Sequence, residues 1–216
     1  ALTMGDNSKL YGFTFQGGVV NLGAIYEYDY ISNNYTKKVD LQSINGNLPN
    51  GEMIKAANGK MYGTTQVGGT NNVGVVFEYD YNANLYVKKI DLSPATGSRP
   101  RCTLATAPDG KLYGITTEGG ANDKGVIFEY DYVSNTYTKR FDFDNTTGSP
   151  VGLALSLAPN GKFYGSTIIN SSTSSIFEFD YITGTVTPKV TLSTADGIYL
   201  RDPMLLAPNG KFYGVA

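Results

Sequence analysis

The stretch Pro108–Phe143, PDGKLYGITTEGGANDKGVIFEYDYVSNTYTKRFDF, decides the fold, because the rest of the chain repeats it. An internal period of about 50 residues is typical of solenoids, propellers and other arrays. The signature Lys-x-Tyr-Gly occurs five times at intervals of 51, 51, 51 and 49 residues, beginning at Lys9, Lys60, Lys111, Lys162 and Lys211. We therefore expect one repeat array over residues 1–216, with approximate units 1–48, 49–99, 100–149, 150–202 and a partial unit 203–216.

Each repeat predicts four short strands. The segment Val151–Ala158, VGLALSLA, is almost wholly apolar, which predicts a first strand that is covered on both faces and lies innermost. The turn Pro159–Gly161 follows, and its Asn-Gly pair supplies the positive φ that a tight hairpin requires. The second strand carries Lys-x-Tyr-Gly, whose glycine indicates that a backbone or a ring packs closely against it.

The second half of each repeat predicts a hairpin with a fixed ion pair. A glycine-pair loop leads to the third strand, GVIFEYDY, and Ser134-Asn135 predicts a two-residue turn to the fourth, YTKRFDF. That register places one opposite-charge pair in all four hairpins: Glu27 with Lys38, Glu78 with Lys89, Glu129 with Arg140, and Glu178 with Lys189. Such pairs contribute about 0.2–1 kcal/mol, and because they recur in every unit we interpret the glutamates as structural.

A polar connector of about eight residues links the fourth strand of one repeat to the first strand of the next. Four-stranded antiparallel meanders linked in this way form β-propellers, in which each blade buries its apolar faces on its neighbours. The sequence thus predicts an all-β propeller of roughly 50-residue, four-stranded blades. It holds about four and a third repeats, and its terminal segments overlap, so we expect part of a larger ring completed by further repeats or a second copy.

Composition excludes several classes of function. The net charge is −2, and the 17 basic residues are dispersed, so no nucleic-acid footprint is present. No apolar run is long enough to span a bilayer, and we expect no membrane insertion. There is no histidine, which removes Ser-His-Asp and Cys-His catalysis. The lone Cys102 lies in an apolar strand and is expected to be buried.

The long loops and connectors offer candidate binding residues. In a meander blade, the loops between strands two and three and the connectors emerge on one face, where they vary between repeats. Tyrosines there could stack on sugar rings. No cofactor or metal site is predicted, although loop oxygens leave calcium open. The candidates are Gln66, Asn71, Asn72, Arg99, Arg101, Glu118, Asn122, Asp123, Tyr199 and Arg201.

The unit KLYG-x-T-x-x-GG-x4-G-x-(V/I)-(F/Y)-E-(Y/F)-D-Y resembles the Gloeobacter/Verrucomicrobia-type tandem repeats of bacterial surface and secreted proteins. The repeats are rich in Tyr and Asn and in this respect are similar to versions found in Bacteroidetes, where such proteins often end in a type IX secretion sorting domain. The resemblance implies an extracellular or cell-surface location and a propeller-like fold, and it supplies no functional residues. Kelch repeats and sialidase Asp-boxes are weaker resemblances, because this chain has no Trp.

Three functions remain open at this point. The leading hypothesis is a non-catalytic extracellular propeller that mediates adhesion or binds a ligand such as a glycan or a surface protein. The first alternative is a carbohydrate-active hydrolase or lyase, for which Glu52, Glu118 and Asp202 are acidic candidates, although they do not assemble a convincing acid and base. The second is a purely structural repeat of a larger surface assembly.

Overall fold

The computed structural model describes residues 2–151, 154–200 and 204–214, which fold almost entirely into antiparallel sheets. The chain divides into two compact units, Ala1–Ser93 with Arg99–Leu104, and Pro94–Ser98 with Ala105–Ala216. Each unit contains two of the sheets that the repeats predict, and the second unit also contains a final hairpin. The fold is therefore all-β and of the propeller type, with one blade for each full repeat.

The first unit contains blades one and two. Blade one has the strand order β1-β2-β3-β4, and its strands are β1 (Thr3–Met4), β2 (Leu10–Thr14), β3 (Ala24–Asp29) and β4 (Asn34–Asp40). A short 3-10 turn, Ser43–Asn45, lies in the connector to the next blade. Blade two has the order β5-β7-β8-β9 with β6 also on β7, and its strands are β5 (Asn47–Pro49), β6 (Ile54–Lys55), β7 (Met61–Val67), β8 (Val75–Asp80) and β9 (Leu85–Asp91).

The second unit contains blades three and four and the final hairpin. Blade three has the order β10-β11-β12-β13, and its strands are β10 (Ala105–Thr106), β11 (Leu112–Ile115), β12 (Val126–Asp131) and β13 (Thr136–Asp142). Blade four has the order β14-β16-β17-β18 with β15 also on β16, and its strands are β14 (Ser149–Pro150), β15 (Ser156–Leu157), β16 (Phe163–Asn170), β17 (Thr173–Asp180) and β18 (Thr185–Ser193). The final hairpin pairs β19 (Leu205–Leu206) with β20 (Phe212–Tyr213).

The predicted continuous first strand, Val151–Ala158, is wrong in its length. The described residues of this region form two short strands, β14 just before Val151 and β15 near the end of the predicted strand, and both pair with β16. Residues 152 and 153 lie outside the described residues. Small side chains and the proline at residue 150 favour close packing over a long hydrogen-bonded ladder, so the apolar run marks burial rather than strand length.

The hairpin between the first and second strands forms as predicted. In blade two, Gly59 has φ 77°, its N–H donates to Ala56 O (3.0 Å), and Ala56 N–H donates to Lys60 O (2.9 Å). Asn58 Oδ1 accepts a hydrogen bond from Lys60 N–H (3.1 Å). The Asn-Gly pair therefore supplies both the left-handed residue and a side-chain acceptor for the turn.

The register predicted for the hairpin of the third and fourth strands is wrong. In blade one, Asp29 pairs with Asn34 across a four-residue loop, and a bulge beside Tyr26 adds one residue to β4. Glu27 therefore lies opposite Thr36, not Lys38. The loop is longer because Asp29 Oδ1 accepts the backbone N–H groups of the residues two and three positions later (2.9 and 3.1 Å).

The left-handed residue of this turn is as predicted, since Asn33, Asn84, Asn135 and Gly184 all have φ between 51° and 75°. The long basic side chains also still reach the glutamates despite the altered register. The nitrogen–oxygen distances are 3.6 Å for Lys38–Glu27, 3.7 Å for Lys89–Glu78, 3.1 Å for Arg140–Glu129 and 3.1 Å for Lys189–Glu178.

The glycine of Lys-x-Tyr-Gly lies against a ring. A Cβ on Gly63 would lie 2.6 Å from Phe77 Cζ, and a Cβ on Gly165 would lie 2.5 Å from Phe177 Cζ. The aromatic side chain of the third strand thus lies across the backbone of the second strand, where only a glycine leaves room. The close packing that the sequence indicates at this position is confirmed.

Aromatic and aliphatic side chains bury the facing sides of blades within each unit. In the first unit, Tyr11 of blade one packs at 6.1 Å from Tyr79 and 5.1 Å from Tyr81 of blade two. In the second unit, Tyr113 of blade three lies 5.5 Å from Phe163 of blade four. Cys102 is fully buried, as expected.

One buried glutamate ties three strands together in blade two. Glu78, on β8, is only 7% exposed and accepts hydrogen bonds from Tyr62 Oη (2.6 Å) and Lys60 Nζ (2.8 Å), which both belong to or flank β7. Lys89 on β9 completes the cluster. Blade one repeats it with Tyr11 Oη at 2.6 Å and Lys9 Nζ at 2.7 Å from Glu27. A carboxylate buried in this way requires such partners.

These contacts set the protonation of the cluster. Burial alone would raise the pKa of Glu78, but the hydrogen bonds from Lys60 and Tyr62 and the charge of Lys89 outweigh it and hold the pKa below the usual 4.5. The pKa of Glu27 is lowered by the equivalent balance. The carboxylates are therefore charged in the folded protein at neutral pH.

Replacing Glu78 with Gln is expected to lower the free energy of unfolding by about 1–3 kcal/mol at neutral pH, because Lys60 and Tyr62 lose a charged acceptor. The lowered pKa values add stability that is complete above the ordinary pKa and is lost as the pH falls through the folded values. Glu78→Gln should therefore also weaken the acid dependence. Urea unfolding over an acidic pH series measures both effects.

The matched control is Glu118→Gln, because that residue is an exposed glutamate. It should change the free energy of unfolding by no more than about 0.5 kcal/mol. Equal destabilisation by the two variants would contradict a structural role for the buried glutamate.

Candidate ligand-binding sites

The candidate residues Asn71 and Asn72 are exposed, but their side chains hold their own loop. Asn72 Oδ1 accepts the N–H of Gly68 (3.1 Å), and Asn71 Nδ2 donates to Leu92 O (2.7 Å). Asn72 also has a φ of 55°, which asparagine tolerates better than most residues. The two asparagines that the sequence predicts as ligand-binding residues therefore stabilise the loop of blade two.

Blade three uses its candidates in the same way. Asp123 Oδ1 accepts the N–H of Gly119 (2.8 Å), and Asn122 Nδ2 donates to Phe143 O (3.0 Å). Asp123 has a φ of 52°. Asn72 Oδ1 and Asp123 Oδ1 are thus engaged with backbone groups of their own loops, and no calcium site is proposed.

Gln66 and Arg101 are the candidates that the structure brings into contact. Gln66 is buried, and with its amide oxygen turned to the guanidinium it accepts from Arg101 Nε (3.2 Å) and from a terminal nitrogen (2.8 Å). Arg101 is exposed beyond this contact. Arg99 has a φ of 53°, and its N–H donates to Val73 O (2.8 Å), so its backbone shapes the connector.

The remaining candidates do not assemble into one site. Glu118 is exposed and exchanges backbone hydrogen bonds with Ser98 (2.7 and 3.2 Å). Tyr199 is 38% exposed and has a φ of 65°. Arg201 and the acidic candidate Asp202 lie outside the described residues.

A shallow aromatic pocket in the first unit was not predicted from the sequence. Its volume is about 440 Å³, and Phe13, Phe15, Pro49, Asn50 and Gly51 line it. Phe15 is 45% exposed, so a ring face is available to a ligand. The amide of Asn50 adds hydrogen-bonding groups beside an apolar floor, a combination that small-molecule sites commonly use.

The sequence contains one signal for this pocket, which is that Phe13 and Phe15 differ from the equivalent residues of the other repeats. Blade one has Phe13 and Phe15 in its second strand, where the other repeats have Thr64 and Gln66, Ile115 and Thr117, and Ser166 and Ile168. A side chain that the fold required would recur in every blade. The two phenylalanines therefore serve something that is specific to blade one.

A second pocket, of about 410 Å³, lies in the second unit and is charged. Lys111 and Arg140 both contact Glu129 in its wall, and Arg140 also donates to the carbonyl of Tyr181 (2.8 Å). Asp109 is also part of this wall. The charged groups of this pocket are thus mostly paired with one another.

The hydroxyl of Tyr113 in this pocket has two carboxylate neighbours. Asp109 Oδ2 and Glu129 Oε2 each lie 3.0 Å from Tyr113 Oη, which has one proton to donate. In blade two the residue equivalent to Asp109 is Asn58, whose Nδ2 donates to Tyr62 Oη (2.9 Å). The aspartate therefore replaces a donor with an acceptor at this position.

Repeated antiparallel blades and a shared buried ion cluster define a repeat protein of the propeller type. The Gloeobacter/Verrucomicrobia repeat model matches residues 1–175, and the chain belongs to that family. No curated protein matches the sequence. In the described residues, 2–151, 154–200 and 204–214, no helix has the length and apolarity that crossing a membrane requires.

Solved propeller-like structures share the fold at low identity. TolB from Acinetobacter baumannii is 17% identical, with a TM-score of 0.59 over 97% of this chain and 46% of TolB. The extracellular domain of a putative one-component system from B. thetaiotaomicron is 13% identical, with a TM-score of 0.65 over 99% of this chain and 25% of that chain.

A GH74 enzyme from Niastella koreensis is 16% identical, with a TM-score of 0.61 over 87% of this chain and 29% of the enzyme. The chain therefore spans less than half the length of each of these three structures. At these identities the likeness concerns the fold alone.

Replacing Asp109 with Asn is expected to raise the free energy of unfolding by about 0.5–1 kcal/mol, because the amide would donate to Tyr113 Oη and leave its proton to Glu129. Thermal and urea unfolding measure the change. The reciprocal variant in blade two, Asn58→Asp, is the matched control and should destabilise by a similar amount. A loss of stability in Asp109→Asn would contradict the assigned donor pattern.

Proposed function

We propose that this protein is a non-catalytic extracellular module that binds a glycan through the aromatic pocket of blade one. The observation that carries the proposal is the pair Phe13 and Phe15, which departs from the repeat and leaves Phe15 45% exposed beside Asn50. A module of this kind would serve adhesion, with the propeller-type blades as its scaffold.

The chemistry of the pocket suits a sugar ring. The C–H face of a pyranose packs on an aromatic ring, and its hydroxyl groups need donors and acceptors at the edge of that contact. Phe15 supplies the ring, and the amide of Asn50 supplies one donor and one acceptor group. The open shape favours a chain or a terminal residue of a polysaccharide over a fully enclosed small molecule.

Loop residues would extend the binding surface within the first unit. Arg101 is exposed and is oriented by the buried amide of Gln66, so its guanidinium is held in place at little further entropic cost. Arginine held in this way suits an acidic sugar, because a guanidinium binds carboxylates with two parallel hydrogen bonds.

An extracellular location is part of the proposal. The structures with a similar fold include an extracellular domain from B. thetaiotaomicron, and the family resemblance implies surface or secreted proteins. A binding role also fits the structural use of the recurring glutamates, which are occupied by lysine and tyrosine partners. This removes the most regular carboxylates of the chain from consideration as an acid and base.

The test is binding to a glycan array, followed by titration calorimetry with the best oligosaccharide. Phe15→Ala is expected to weaken binding up to about tenfold, because a stacking contact on an aromatic ring is typically worth about 0.5–1.5 kcal/mol. Asn50→Ala should weaken it less. Arg101→Ala should matter only for acidic glycans.

The matched control is Tyr30→Ala, which removes a similarly exposed aromatic side chain (49%) from blade one outside the pocket. It should leave the affinity unchanged. A folded protein without array hits would contradict glycan binding, and equal effects of Phe15→Ala and Tyr30→Ala would contradict the assignment of the pocket.

A further inference from the structure

The aromatic pocket of blade one has a counterpart on the next blade. Phe15 and Gln66 each lie six residues after the lysine of Lys-x-Tyr-Gly, near the end of a second strand. Asn50 and Arg101 each follow the proline at the start of the next repeat. The pair Gln66 and Arg101 therefore occupies the positions that Phe15 and Asn50 occupy one repeat earlier.

The packing of the two prolines confirms that these positions are equivalent in space. A Cβ on Gly23 would lie 2.9 Å from Pro49 Cδ, and a Cβ on the equivalent Gly74 would lie 2.7 Å from Pro100 Cδ. The residue after each proline thus leaves its blade from the same place.

The two positions are also neighbours. Gly51 lines the aromatic pocket, and a Cβ on Gly51 would lie 2.6 Å from the carbonyl carbon of Cys102, the residue that follows Arg101. Thr64 Oγ1 fixes this segment by donating to Cys102 O (3.1 Å). Because all these residues belong to the first compact unit, the backbone that carries Arg101 forms the border of the aromatic pocket.

The guanidinium of Arg101 is oriented with one edge available. The amide oxygen of Gln66 accepts from Nε (3.2 Å) and from one terminal nitrogen (2.8 Å), and Gln66 is itself only 9% exposed. The edge that carries both terminal nitrogens still has donors for a further acceptor. That edge has the geometry that binds a carboxylate through two parallel hydrogen bonds.

Arg101 also differs from the basic residues that stabilise the blades. Arg140 pairs with Glu129 (3.1 Å) and Lys89 with Glu78 (3.7 Å), whereas no carboxylate of the described residues lies within ion-pair distance of Arg101. The arginine is therefore held by a neutral amide and keeps its charge available to an anion.

The glutamine and the arginine occur together and only at this junction of the chain. The equivalent pairs are Phe15 with Asn50, Thr117 with Val151, and at the second-strand position of blade four Ile168. A pair that the fold required would recur, as the buried glutamates do. The pair therefore serves something specific to the surface beside the aromatic pocket.

We infer that the ligand of this surface is an acidic polysaccharide, in which a uronic acid carboxylate binds Arg101 while a neighbouring sugar ring stacks on Phe15. The inference rests on the proposed glycan binding and adds the class of glycan. Phe15 supplies affinity for any sugar ring of suitable shape, and Arg101 selects those chains that carry a carboxylate.

Specific contact explains this selection better than general attraction of a polyanion. The chain has a net charge of −2, so its overall field does not favour a negative polymer. The selective element must then be short-ranged and directional, which a guanidinium held by a buried amide provides. A sulfated polymer carries more charge but lacks the planar group that the two terminal nitrogens match.

The experiment compares each acidic glycan with its own neutral form. Oligosaccharides of polygalacturonate, alginate and hyaluronan are titrated calorimetrically into the 216-residue protein, each beside its methyl-esterified form. At least one acid should bind about tenfold or more tightly than its ester, because only the acid accepts the charged hydrogen bonds. Dextran sulfate, used as a competitor at equal charge, should not displace it.

Variants of Arg101 separate the fork from the charge. Arg101→Met should weaken the acid to the affinity of the ester and leave the ester unchanged. Arg101→Lys keeps the charge but not the planar fork, and should retain a preference of no more than about threefold. Phe15→Ala should weaken the acid and the ester by the same factor, since both stack on the ring.

Gln66→Glu tests the orienting contact with little change of shape. The new carboxylate would pair with the guanidinium, so the preference for the acid should disappear while binding of the ester persists. The matched control for lost charge is Lys211→Met, which removes an exposed positive charge outside the first unit. It should leave the preference unchanged.

Three outcomes would overturn the inference, and they bear differently on the proposed function. Equal binding of every acid and its ester, with both weakened by Phe15→Ala, would leave glycan binding intact and remove only the acidic class. An equal loss of preference in Lys211→Met and Arg101→Met, or displacement by dextran sulfate, would indicate general attraction of polyanions. A folded protein that binds none of the glycans in either form or on an array would contradict both proposals.

Discussion

The structure depends on one buried carboxylate in each of blades one, two and three. A glutamate on the third strand is stable inside the sheet only with hydrogen-bond donors around it, and these come from both neighbouring strands. In blade two the donors are Tyr62 and Lys60, with Lys89 close by. Lys-x-Tyr-Gly and the glutamate therefore recur together because the buried carboxylate requires the lysine and the tyrosine as hydrogen-bond donors. The most regular motif of this chain thus describes how a blade is held together.

The sequence predicts the blades well because their determinants are local. Turn glycines, the glycine under Phe77 and the ion-pair partners all follow from short spacings. The register of the outer hairpin does not, because Asp29 uses its side chain to cap a longer loop and a bulge then shifts the following residues. The residue types in the turn are compatible with either loop length, with or without the bulge. The sequence pattern therefore does not reveal the cap or the bulge.

The candidate site illustrates the same limit in another way. Exposed polar residues in variable loops suggest binding, yet Asn72 and Asp123 direct their oxygens at their own backbone. A sequence does not reveal which polar side chains the fold already uses. It does reveal asymmetry, and Phe13 and Phe15 differ from the equivalent positions of every other repeat. In a repeat protein, such departures are the better guide to function, because the shared residues serve the scaffold.

The contact between a connector and the blade that follows it has a consequence for how such chains diversify. Gly69, Lys88 and Tyr86 donate hydrogen bonds to the main-chain carbonyls of the connector residues Ser43–Asn45. Because these bonds do not depend on side chains, the connector can change nearly all of its side chains and still bind the blade. Neighbouring repeats are then interchangeable at their junctions. Unequal recombination between gene segments can add, remove or shuffle blades with no matching change in the adjoining one. The contact that holds a connector on its blade thereby leaves the number of blades and the sequence of their connectors open to evolutionary change.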